Sequence, residues 1–170
     1  MQRIEFVHFP VSDDPSAPLR WGMRVGGTDL RVLVAKATRH LWRKEHQKWT
    51  EAKQERFLLT QHIGLYVEEV GDPLRHFLGD PSPRFTDSCA GATPLLGCVC
   101  GDWACWPLLA LVTATSETVT WSSFRQPHRE QWGELDMGPY VFDRTAYEAA
   151  LAHPVRLDED PIGPDPDEMP

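Results

Sequence analysis

A chain of 170 residues, 41% hydrophobic and 25% charged, can bury a core without disulfides or a metal, and its length favours one domain over two. The formal charge of −8 is unevenly placed: residues 154–170 hold six acids and one base, which leaves −3 for the other 153 residues. A near-neutral body with no basic stripe argues against nucleic acid as a partner, and the longest apolar run, Trp106–Val112, is far too short to cross a bilayer.

The opening residues lack a basic stretch followed by an apolar run, so a cytoplasmic location is expected. In that reducing compartment the four cysteines point to metal or thiol chemistry rather than disulfides.

Arg3 to Val11 reads as a strand, rich in β-branched and aromatic residues although its alternation is imperfect. Ser12-Asp-Asp-Pro-Ser-Ala-Pro is turn chemistry, and Leu19 to Val25 reads as a second strand that completes an antiparallel hairpin. Gly26-Gly27 ends it, and Thr28 is the expected N-cap of a helix, with Asp29 placed to complement the helix dipole. Leu30, Leu33, Val34, Ala37 and Leu41 fall on one helical face. No Gly or Pro follows before Gly64, so the helix is predicted to run, bent, to about residue 60. Trp42 and Trp49 lie one heptad apart, a spacing that suits core packing.

A short helix is predicted at Pro73–Leu78, followed by loops through Asp87–Pro94. Leu95–Cys100, Trp106–Thr115 and Thr118–Phe124 read as a three-stranded antiparallel meander turning at Ser116-Glu117. Asp143 is the expected N-cap of a helix carrying Tyr147, Ala150 and Leu151. Residues 154–170, with five prolines and few large apolar groups, are expected to form a disordered acidic tail. The predicted fold is therefore a single α+β domain over residues 1–153. Its N-terminal hairpin and C-terminal meander pack with the intervening helices.

The chemistry concentrates in Gly97-Cys-Val-Cys-Gly-Asp-Trp-Ala-Cys-Trp-Pro, where three of the four cysteines lie within eight residues. In a strand Cys98 and Cys100 would share a face, and a four-residue hairpin loop, Gly101–Ala104, would set Cys105 beside Cys100. Three thiolates plus one more donor make a Cys₃His or Cys₄ zinc site, with His128 as the expected fourth ligand and Cys89 as the alternative. Two other readings stay open: the cysteines are small buried hydrophobes, or Cys100 and Cys105 form a redox pair.

Three linked motifs carry a resemblance. They are Leu95-Leu-Gly-Cys-Val-Cys-Gly-Asp-Trp-Ala-Cys-Trp-Pro-Leu108, Val119-Thr-Trp-Ser-Ser-Phe-Arg-Gln-Pro-His-Arg129 and Gly138-Pro-Tyr-Val-Phe-Asp-Arg-Thr-Ala-Tyr147. Together they resemble an uncharacterised family of small bacterial proteins, common in actinobacteria. That resemblance covers roughly residues 90–152, implies that the segment is one module and implies no activity.

No hydrolase, zincin, P-loop or dinucleotide motif is present. His128 and Arg129 follow a strand together, as a base or ligand and an anion clamp, or simply as local caps. Trp103, at the expected hairpin tip, is a candidate for contact with a protein partner together with Arg129; the alternative is that it folds back over the cysteines. The leading expectation is a cytoplasmic binding or adaptor protein whose Cys-rich hairpin holds a structural zinc. The rivals are a small metal-dependent enzyme built on Cys98, Cys100, Cys105 and His128, and a neutralising partner of a toxin.

Overall fold

β1 (Ile4–Pro10) and β2 (Leu19–Val25) pair antiparallel in the computed structural model, which describes residues 1–87 and 89–163. The imperfect alternation of β1 has a simple cause. The strand is central, with β2 on one side and β9 (Val155–Arg156) on the other, and both of its faces are covered, so Phe6, Val7 and Phe9 are all buried. β3 (Thr28–Asp29) adds to the outer edge of β2. Thr28 therefore extends the sheet, and Asp29 is the residue that caps α1 (Leu30–Glu45) by accepting from the Arg31 amide.

The long bent helix expected to residue 60 is two helices. α1 stops where the His46 amide reaches the Trp42 carbonyl, and α2 (Glu51–Thr60) starts from Thr50, whose hydroxyl accepts from the Lys53 amide. Gln54 Nε2 bridges the break by donating to the carbonyls of His46 and Trp49, at 2.9 and 3.2 Å. Stacking of His46 on Trp42 and of Trp49 on His46, with ring centroids 4.9 and 3.9 Å apart, fills the corner.

The second sheet runs β4 (Ile63–Gly64), β5 (Thr93–Gly97), β6 (Leu108–Ala114), β7 (Thr118–Arg125) and β8 (Tyr140–Asp143), all antiparallel. It contains the expected meander and extends it by a strand on each side. Three short helices, α3 (Val67–Val70), α4 (Pro73–Phe77) and α5 (Pro83–Thr86), lie between β4 and β5. Asp143 caps α6 (Arg144–Ala152) through the Ala146 amide, as read from the sequence. The α+β class holds among the described residues.

The two sheets meet across an aromatic layer. Phe6 of β1 lies 6.5 Å from Trp121 of β7, and Phe77 and Tyr147 fill the space beside Phe6 at 5.2 and 5.3 Å between centroids. The sheets are also joined through the backbone: the Trp21 amide donates to the Leu65 carbonyl at 2.8 Å. Gly64 makes this crossing possible, because a Cβ there would sit 1.7 Å from the Trp21 carbonyl oxygen. The same crossing puts the Arg20 side chain against Gly64 and Tyr66.

The expected tail is corrected over residues 154–163. Val155 and Arg156 pair with Val7 and His8, and the Leu157 amide donates to the His8 carbonyl at 2.8 Å. Asp160 then accepts two hydrogen bonds from Arg31, at 2.8 and 3.0 Å. Sheet pairing and a buried charge, rather than apolar bulk, hold this segment. Residues 164–170 of the expected tail lie outside the described residues. Among the described residues no helix is long and apolar enough to cross a membrane.

Candidate metal centre

β5 ends at Gly97 and β6 begins at Leu108, so Cys98, Cys100 and Cys105 all lie in the loop between them. The expected shared strand face and four-residue hairpin are therefore replaced by a longer loop with its own internal bonds. The Gly101 amide donates to the Cys98 carbonyl at 3.1 Å, closing a turn that needs Gly101 at φ +95°. Asp102 accepts from the Ala104 amide at 3.1 Å and caps a single 3₁₀ turn, Trp103–Cys105.

That path, one turn followed by one 3₁₀ turn, gathers the three sulfurs by a different route. The Sγ atoms of Cys98, Cys100 and Cys105 all lie within 4.8 Å of one another. A tetrahedral ion with Zn–S bonds of about 2.3 Å needs its sulfurs roughly 3.8 Å apart, so small side-chain adjustments suffice. These three cysteines can hold a metal ion. No cysteine is in a disulfide.

The three thiols are chemically unequal. Cys98 is buried at the base of the loop, while Cys100 and Cys105 are exposed. Burial pushes the Cys98 thiol up to about 12. A backbone hydrogen bond at Asp102 and the neighbouring Cys98 thiol draw Cys100 below its ordinary value. Cys100 thus offers a thiolate to an arriving cation more readily than Cys98, whose ionisation the bound charge would then favour.

The fourth-ligand expectations are not met in this arrangement. The sulfur group includes neither His128 nor Cys89. His128 does reach the loop, but its Nε2 donates to the Ala104 carbonyl at 2.8 Å. It ties the segment after β7 to the loop and would have to give up that bond to ligate through Nε2. Cys89 is 1% exposed and packs in hydrocarbon with Ala92, Leu109 and Trp103. The donor set is thus three sulfurs, from one buried and two exposed cysteines.

The two expected partner-contact residues also point elsewhere. Trp103 is half-buried, turned inward onto Phe85 with centroids 4.9 Å apart. Arg129 lies over Trp42, Trp106 and Trp132, at 5.7, 5.0 and 5.8 Å from their centroids, and pairs with Glu45 at 3.4 Å. Its cation is already held by aromatic faces and a carboxylate, which makes it an internal clamp between α1 and the segment after β7.

Two histidines, His62 and His76, are core residues. His62 Nδ1 lies 3.0 Å from the Trp106 carbonyl, and His76 Nε2 donates to the Pro94 carbonyl at 2.8 Å. Burial lowers both to about 4, so both are neutral. Sequence reasoning also missed Arg20 and Arg31, both buried in the first sheet and α1. Arg20 shares parity with Arg24 in β2 and carries no sequence mark that separates it from a surface arginine.

Comparison with protein-family models, with curated proteins and with solved structures finds no match to this chain.

Proposed function

We propose that this is a cytoplasmic binding or adaptor protein whose β5–β6 loop carries a zinc centre on Cys98, Cys100 and Cys105. The observation that carries the reading is the convergence of three sulfurs within 4.8 Å, two of them exposed, in a loop that has its own hydrogen bonds. Three thiolates are soft donors, which favour Zn²⁺ or Cu(I) over hard cations. Three sulfurs would leave one position of a tetrahedral ion for water or for a ligand atom of a protein partner. The metal would then order the loop and present it, while the aromatic layer between the sheets holds the fold without it.

The enzyme alternative has a weaker basis, because the general base expected for it, His128, is engaged with the Ala104 carbonyl through Nε2. Metal analysis of protein purified without chelator or affinity nickel tests the proposal. One zinc per chain is expected, lost in Cys98→Ser and in Cys100→Ser, with an unchanged far-ultraviolet dichroism spectrum. Absence of metal in the wild type, or metal retained when all three cysteines are replaced by serine, would overturn it.

A further inference from the structure

A second feature, lined by none of the three cysteines, includes Val99 of the same loop in its wall. A cavity of about 770 Å³ opens between the end of β1, α2 and the C-terminal strap of residues 158–163. That volume falls in the range of small-molecule sites. Its apolar lining comes from Phe9, Leu59, Ile63 and Val99, and Arg20 and Arg31 form part of its wall.

The two arginines differ in what balances them. Arg31 is fully matched: Asp29 and Asp160 both accept from it, at 2.8–3.1 Å, and these bonds outweigh the cost of its burial. Arg20 is not. It is 7% exposed, yet its partners are neutral: the Gly64 carbonyl and the Tyr66 hydroxyl, each at 2.9 Å, with the Tyr66 ring 4.1 Å from its charge. Its Nε has no hydrogen-bond partner among the described residues. A guanidinium has five N–H donors, and two of these bonds leave three donors on a buried cation that Glu69 and Asp160 influence only through space, without a direct ion pair. A charge in this position is costly unless something negative joins it.

The strap shows what the cavity wall accepts, since the Asp160 carboxylate already sits on the neighbouring arginine. The rim limits the charge that can enter. Asp13, Asp158 and Glu159 stand exposed around the opening and would repel a second negative charge.

We propose that this cavity binds a small, singly charged carboxylate with an apolar body, its carboxylate on Arg20 and its body against Phe9, Leu59 and Ile63. Free amino acids and their deaminated acids share this chemistry. An ammonium group on the ligand would face the acidic rim, so the two sources are separable by experiment.

Calorimetric titration of the full chain with phenylalanine, phenylpropanoate and phenylethylamine tests the proposal. The expected result is binding of one or both carboxylates with Kd of about 1 mM or tighter and no binding of the amine. Tighter binding of phenylalanine than phenylpropanoate identifies the amino acid as the source, and the reverse identifies the simple acid. Arg20→Lys should weaken binding by at least about tenfold. Because Arg20 also supports Gly64, a second variant, Leu59→Trp, fills the apolar side and leaves the guanidinium in place; it should weaken binding similarly with an unchanged melting temperature. The proposal is overturned if neither carboxylate binds the wild type at about 10 mM, if the amine binds as well as the acids, or if Leu59→Trp binds like wild type.

Discussion

Tyr147 carries a hydroxyl into the middle of the aromatic layer and satisfies two buried groups with it. It donates to the Phe77 carbonyl at 2.6 Å and accepts from the Trp121 indole N–H at 3.1 Å. The ring packs edge-on to Phe6 and Trp121, so Tyr147→Phe keeps the shape and removes only the polar link. That leaves an indole N–H and a carbonyl buried without this partner, a loss of about 1–3 kcal/mol. The expected fall in melting temperature is roughly 3–10 °C for a chain of this size, read by tryptophan fluorescence or calorimetry. A shift near zero would mean the neighbouring groups find other partners. Gly64 is less forgiving: in Gly64→Ala the new Cβ meets a carbonyl oxygen rather than a flexible side chain. The crossing of the two sheets should fail, with little folded protein recovered on expression.

At the scale of elements, the C-terminal strap decides how much of the chain is structural. Asp160 is a side partner of a guanidinium that is itself 5% exposed, and it is 20% exposed, so solvent screens part of the interaction. Asp160→Asn keeps the shape and removes the charge while Asp29 remains, so a loss of about 1–2 kcal/mol of stability is expected, read from the fall in the urea midpoint. Faster hydrogen exchange at the Leu157 amide should accompany it; exchange and midpoint both unchanged would place the strap outside the cooperative unit. This segment also marks what could be read in advance. β1, β2, the turn before β7 and the Asp143 cap were legible, because period-2 apolar patterning and local turn or cap chemistry specify them. The strap was not, because it is held by one short parallel pairing and one ion pair, both long-range. The Thr50 cap shows a related loss, because no Gly or Pro marks the helix break. At the sulfur centre the residue types were legible and the route was not: loop bonds to Asp102 and Gly101 bring the sulfurs together, and His128 spends its Nε2 on a carbonyl that no spacing rule exposes.

For the whole molecule, acid should act through histidines that the fold keeps neutral. His62 ties the start of β4 to the end of the cysteine loop, and His76 ties α4 to β5. Burial holds both near 4, against an ordinary value of 6.5. Above pH 6.5 neither state binds the protons and stability is complete. Between pH 6.5 and pH 4 the unfolded chain takes up protons that the native chain refuses, so stability falls as pH falls. The loss is on the order of 3 kcal/mol per histidine by the lower end of that window. Urea midpoints measured across this range should therefore slope downward toward acid. His76→Gln supplies an amide donor for the Pro94 carbonyl without a titrating ring, and should remove about half of the slope even if it lowers the midpoint at neutral pH. A slope that survives this substitution unchanged would show that the native His76 ring takes up its proton as readily as the unfolded one, and that the water-free setting of α4 against β5 is not what resists acid.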